Sequence, residues 1–184
     1  MLIERLLAKR LQAGDAGAWD RVVRQEYPRI LRFLRHLSGS AADAEDLAQG
    51  TFVKAREAAL KFRHECSLRT WLHKIAYREF THWLRDRRET PELLPERAAP
   101  EGRSDDAVVL AAAIAELPPD VRDAFLLREV QELTVREAAA VLGVPEGTVK
   151  SRNHTARERL RAMLAGTWEV VDGNESIGGQ REPI

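Results

Sequence analysis

The chain is poor in most of the residues that mark specialised chemistry. Its 184 residues include one cysteine, Cys66, so no disulfide can form within it, and a cytoplasmic protein is the simplest expectation. Aromatic residues are 6% of the total, while Ala, Leu, Arg and Glu dominate, a mixture that favours helices over strands. No apolar run approaches the ~20 residues a membrane span needs. The opening "MLIERLLAKRL" is broken by charges and lacks a signal peptide's continuous apolar stretch. There is no phosphate-binding P-loop, no Gly-rich dinucleotide turn, no H-E-x-x-H and no nucleophile elbow. The chain is therefore expected not to be an enzyme, and to take neither a cofactor nor a small-molecule substrate. His64, Cys66 and His73 match no zinc spacing, so no metal site is expected.

Net charge is also lacking: 29 Lys and Arg balance 29 Asp and Glu. The balance is not local. Residues 54–88 carry ten basic and four acidic side chains, residues 89–120 carry two and eight, residues 147–164 five and one, and residues 165–184 one and four. Two basic blocks are thus separated by an acidic one. Basic blocks attract phosphates, and an acidic connector avoids them.

A hydrophobic content of 44% supports real cores, and helical spacing of apolar residues covers most of the chain. Residues 2–12 read as a short amphipathic helix. Asp15 can cap a second, carrying Trp19, Val22, Val23, Ile30, Phe33, Leu34 and Leu37, which Pro28 should bend or break. A third begins near Asp43, with Asp43, Glu45 and Asp46 in the first turn, where the helix dipole favours acids. Residues 68–88 resume the pattern after the interruption "RHECS". Residues 89–107 contain three prolines and little periodicity, and read as a flexible acidic linker. Helix returns at Val108–Leu117 and again near Asp120, and the polar residues from 166 onward read as a disordered tail. The expected fold is all-α, with two small helical domains at 1–88 and 108–165.

Residues 133–164 are the most specific stretch. Thr134 and Glu137 have the S/T-x-x-E spacing of a capping box, so a helix should begin there. Gly143 suits the left-handed residue that ends a helix, and Pro145 suits the start of the next. Ala139, Gly143 and Val149 fall at i, i+4 and i+10. A small residue allows close approach, a glycine makes the turn, and a valine plugs the angle between two helices. This is a helix-turn-helix pattern, whose second helix enters the DNA major groove. With Val149 inward, Thr148, Ser151, Arg152 and Thr155 should face outward as base-edge readers. Lys150, Arg157 and Arg161 flank them as phosphate contacts. Asn153 falls on the inward seam between Val149 and Ala156. It either hydrogen-bonds at the rim of the seam or reaches DNA.

Four segments, "DAEDLAQGTF" (43–52), "SLRTWLHKIA" (67–76), "ELPPDVRDAFLLRE" (116–129) and "GVPEGTVKSR" (143–152), together resemble bacterial RNA polymerase sigma factors of the extracytoplasmic-function type, in the family's order. The resemblance implies a region 2 domain at 1–88 and a region 4 domain at 108–165. It implies a factor that binds core polymerase through its β′ and β subunits and directs initiation at promoter −35 and −10 elements. It also implies inhibition by an anti-sigma partner. It assigns polymerase docking to Asp43, Asp46, Leu47 and Gln49, with Asp43 also expected to cap its helix. It assigns −10 reading and melting to Lys61, Arg63, His64, Glu65, Ser67, Arg69, Lys74, Arg78 and Arg85, with Arg87 and Arg88 adding charge. The −35 element falls to Thr148, Lys150, Ser151, Arg152, Thr155 and Arg157. Trp71 lies on the apolar stripe and reads as core, whereas Trp83 lies off it and reads as a surface stacking group or partner contact. Where the family has an acidic or polar helix former, this chain has Gly50. The competing reading is a helix-turn-helix regulator whose N-terminal half dimerises or senses a ligand.

Overall fold

A computed structural model describes residues 2–62, 65–89 and 105–172. Among these residues the chain forms eight α-helices and no strand: α1 (Leu2–Gln12), α2 (Ala16–Ser38), α3 (Ala41–Ala58), α4 (Leu68–Glu89), α5 (Asp105–Glu116), α6 (Pro119–Phe125), α7 (Val135–Leu142) and α8 (Glu146–Asp172). A short 3₁₀ turn follows α3, and a π-helical turn (Leu126–Val130) extends α6. No described helix is long and apolar enough to cross a membrane. Of the expected linker at 89–107, residues 90–104 lie outside the described residues, while Glu89 ends α4 and α5 already begins at Asp105.

Local signals set many of the boundaries. Asp15 caps α2 by accepting from the Ala18 N–H at 2.9 Å, and Gly39, at φ 72°, closes it in the left-handed conformation. Pro28 does not break α2, contrary to the sequence expectation. Its missing N–H costs one helical hydrogen bond, but Val22, Ile30, Phe33 and Leu34, buried on either side of it, hold the helix in the core. The cap of α3 is Ser40, whose hydroxyl accepts from the Asp43 N–H, and not Asp43 itself. Helix α8 runs to Asp172, into the segment read as tail. A single internal glycine, Gly166, costs only about 1 kcal/mol and does not stop a helix.

In the N-terminal half, α2, α3 and α4 bundle around Ile30, Phe33, Leu34, Ala44, Ala48, Leu72, Ala76 and Phe80. Small residues on α3 let it approach its neighbours closely. In the C-terminal half, α6, α7 and α8 close on Leu126, Leu133, Ala138, Val149 and Ala156. The two cores are continuous because α7 packs on α4 and the π turn reaches α2.

Candidate nucleic-acid interface

The helix-turn-helix forms as its spacing requires. Thr134 accepts from the Glu137 N–H while the Glu137 carboxylate accepts from the Thr134 N–H, completing the capping box. Gly143 stands at φ 69°, and its N–H bonds the Ala139 carbonyl, so the chain turns without a Cβ penalty. Val149 is fully buried in the angle, with Ala156 and Leu160 continuing the seam.

On α8, Lys150 and Ser151 are exposed and Thr148 and Thr155 half-buried, all turned away from the seam. The expectation that Arg152 projects outward beside them needs correction. Three residues after Val149, it shares that residue's face and rides on the shoulder of the seam. Its guanidinium pairs with Asp120 of α6 at 3.1 Å and is 26% exposed. Asn153 takes the rim position: its amide donates to Glu129 at 2.8 Å, and Arg157 donates to the same carboxylate oxygen at 2.9 Å. Asn153's amide, then Arg157, hold the Glu129 carboxyl below the usual carboxylate range against its partial burial. Glu129 is a residue that motif reading misses. Its signal was present in a polar residue at a seam position, which requires a partner.

The residues expected to read the −10 element divide. Lys61, Glu65, Arg78 and Arg85 are exposed and Lys74 is half-buried; Arg63 and His64 lie outside the described residues. Ser67 and Arg69 are instead engaged by the C-terminal half. The hydroxyls of Ser67 and Thr70 donate to Glu137 at 3.1 and 2.8 Å, and Arg69 donates to the Gln131 carbonyl at 2.6 Å. Fully buried His73 hydrogen-bonds the Arg69 carbonyl and the Gln131 side chain, and Tyr77 donates to Asp123 at 2.9 Å.

This polar seam shifts several titrations. Burial pushes the Glu137 carboxyl up, but hydrogen bonds from the Thr134 backbone and the Thr70, Thr134 and Ser67 hydroxyls outweigh it and hold the pKa down at about 2. Burial raises Asp123 to about 6, despite the Tyr77 hydrogen bond and nearby Arg122. Burial also favours neutral His73. It raises the Cys66 thiol too, so this cysteine is not an activated nucleophile. Among the described residues no cluster of His, Cys, Asp or Glu could hold a metal.

On α3, Asp46 and Gln49 are exposed. Leu47 is corrected from docking residue to core residue: it is 9% exposed and packs inside the bundle. Asp43 donates no open charge either, because Arg87 of α4 bonds its carboxylate at 2.7 Å with both side chains mostly buried. The apolar residue on the open face is Val53, 58% exposed and aligned with Asp46 and Gln49 at helical spacing. Trp71 packs at 4.8 Å from Phe62, on the core side as expected. Trp83 is half-buried against Phe80, with Arg87 stacked on its ring at 4.5 Å.

Residues 22–90 match the family described as Sigma-70 region 2, and residues 107–160 match Sigma-70, region 4. The chain is 36% identical to the ECF RNA polymerase sigma factor SigE of Mycolicibacterium smegmatis, over 83% of this chain and 65% of that protein, so it spans somewhat under two thirds of that relative. It is 31% identical to the ECF RNA polymerase sigma factor SigM of Mycobacterium tuberculosis, over 83% of this chain and 80% of that one. Among solved structures it resembles the sigma factor RpoE of Bartonella quintana in complex with the anti-sigma factor NepR (TM-score 0.72, 29% identity, 79% of this chain and 96% of that chain). It also resembles CnrH in complex with the cytosolic domain of CnrY (TM-score 0.70, 26% identity, 89% and 97%).

Proposed function

The chain belongs to the sigma-70 family, as a sigma factor of the extracytoplasmic-function type, and on that premise we propose how its parts divide the work of promoter recognition. It binds core RNA polymerase and directs promoter-specific initiation, without catalysis of its own, in the cytoplasm. The domain holding α2 to α4, within residues 1–88, docks on the β′ subunit through the open face of α3, using Asp46, Gln49 and Val53. The acid and the amide give orientation, and the exposed valine gives apolar area that solvent now meets. The domain at 108–165 reads the −35 element with Thr148, Lys150, Ser151 and Thr155 of α8, with Arg152 and Arg157 at its flanks.

The observation that carries this division is the separation of two open surfaces, one on α3 and one on α8, with opposite chemistry. The α3 face is acidic and apolar, suited to protein. The α8 face is basic and rich in hydroxyls, suited to a DNA groove. The −10 surface of α4 has a further requirement. Ser67 and Arg69 can meet promoter DNA only after α4 parts from Glu137 and Gln131, because these groups already hold the Ser67 hydroxyl and one Arg69 guanidinium nitrogen. Polymerase binding supplies a means of parting them, by holding the two domains at separate places. An anti-sigma partner would act in the opposite sense, by covering the α3 face or keeping the domains together.

Transcription from candidate promoters with purified core polymerase tests the assignment. The full chain should yield promoter-dependent run-off transcripts. Asp46→Arg should lower core affinity at least tenfold while leaving affinity of the free chain for DNA unchanged. Core affinity equal to that of the wild type would remove the α3 face from the interface.

A further inference from the structure

Asn153 and Arg157 lie one turn apart on α8, and both donate to Oε1 of Glu129, which belongs to the π turn after α6. The arrangement has three features beyond ordinary packing. First, Asn153 is a polar residue on a seam that is otherwise Val149, Ala156 and Leu160, and its Oδ1 is buried without a partner. An aliphatic residue would fill that space at lower cost, so the amide is retained against packing. Second, Glu129 lies within the π turn, whose winding is wider than that of α6, and its carboxylate reaches across to α8. Third, Glu129 is 30% exposed and Arg157 57% exposed, so the cluster sits at the rim, where the seam opens beside the proposed DNA face.

One carboxylate holding two donors at i and i+4 fixes both the rotation of α8 about its own axis and the lateral position of the Arg157 guanidinium. Val149, Ala156 and Leu160 alone offer a smooth apolar strip on which the helix can rock. We propose that Glu129 is a positioning residue for DNA reading: through Asn153 it sets the rotation of α8, and through Arg157 it sets the point at which the helix is anchored to the phosphate backbone. Sequence preference at the −35 element then depends on a carboxylate that touches no base. This rests on the reading of α8 as the −35 helix. The lowered pKa of Glu129 agrees with a carboxylate that stays ionised and bonded in the free protein.

The experiment selects from a library of randomised DNA duplexes with the full chain, and measures affinity for one mixed-sequence duplex across a salt series, for the wild type and three variants. Glu129→Ala should flatten the sequence preference about tenfold without weakening affinity for mixed-sequence DNA, because a negative charge near the phosphates is removed as well. Glu129→Gln keeps an acceptor oxygen for both donors and should retain most of the preference. Asn153→Leu fills the seam, so its thermal midpoint should equal or exceed that of the wild type while its preference falls. Equal behaviour of Glu129→Gln and Glu129→Ala would reduce the effect to charge and overturn the proposal. So would a preference that Glu129→Ala or Asn153→Leu leaves intact. A wild type that selects no sequence at all would overturn the −35 reading of α8, and the proposal with it.

Discussion

Helices α4 and α8 both look, as sequences, like basic surfaces for nucleic acid, yet they stand differently in the fold. Helix α8 keeps its outer face open and takes its counter-charges from its own domain: Asp120 for Arg152, Glu129 for Arg157 and Glu158 for Arg161. Helix α4 spends Arg69, Thr70 and Tyr77 of its first three turns on the other domain, through Gln131, Glu137 and Asp123. A count of Lys and Arg therefore measures the charge a helix carries, not the charge it can offer. In α8 the neighbouring acids orient side chains that remain at the surface. At the start of α4 the neighbouring groups cover part of the surface itself.

The largest effect that would separate the two helices is expected at Arg152. Its replacement by alanine should relax −35 sequence preference by about 1–3 kcal/mol if the guanidinium leaves Asp120 for a base edge. Affinity reduced equally for all duplexes would make it a backbone contact, with its place on the seam's shoulder as the cause. At the α4 contact, Glu137→Ala removes the carboxylate half of the α7 capping box together with two bonds to the other domain. Discounted for its partial exposure, the loss should be about 1–2 kcal/mol in unfolding experiments. Small-angle scattering should then show a larger radius of gyration, because the domains part more readily. An unchanged radius would mean that apolar packing alone keeps α4 and α7 together.

The buried Asp123 provides a pH signature for the same seam. Its pKa in the folded protein, about 6, lies above the ordinary value of 3.8, so the folded state holds this proton longer than the unfolded state. Its contribution to stability is fully present below pH 4 and falls as pH rises toward 6, with a slope that cannot exceed about 1.4 kcal/mol per pH unit. Denaturant titrations at pH 4, 5 and 6 should show this decline in the wild type and not in Asp123→Asn. Glu137 acts in the opposite sense, since its depressed pKa supplies stability above about pH 4.5 that is lost only as pH falls toward 2. The two windows barely overlap, so they can be read separately.

The smallest effect belongs to the docking helix. A Cβ at Gly50 would meet only the Glu79 carboxylate, at an ordinary 3.9 Å. Gly50→Ala should therefore stabilise α3 by about 0.5–1 kcal/mol, measured as a raised midpoint of thermal unfolding. A lowered midpoint would show that Glu79 and its partner Lys54 cannot yield even that space.

The sequence by itself determined the features that depend on near neighbours. The helical spacing of apolar residues, the Thr134–Glu137 box, the glycine at 143 and the buried Val149 all act within ten residues, where periodicity and capping leave few alternatives. The four ordered motifs carried the family. Tertiary structure decided which faces remain available. Leu47 points into the bundle and Val53 does not, Asp43 is taken by Arg87, Arg152 leans on Asp120, and Glu129 and Glu137 gather donors from other helices. Glu137 bonds partners 67 and 70 residues away, and Glu129 bonds partners 24 and 28 away. Spacing along the chain says nothing about such pairs, because they exist only once the apolar faces of separate helices have packed and fixed which polar groups lose water together.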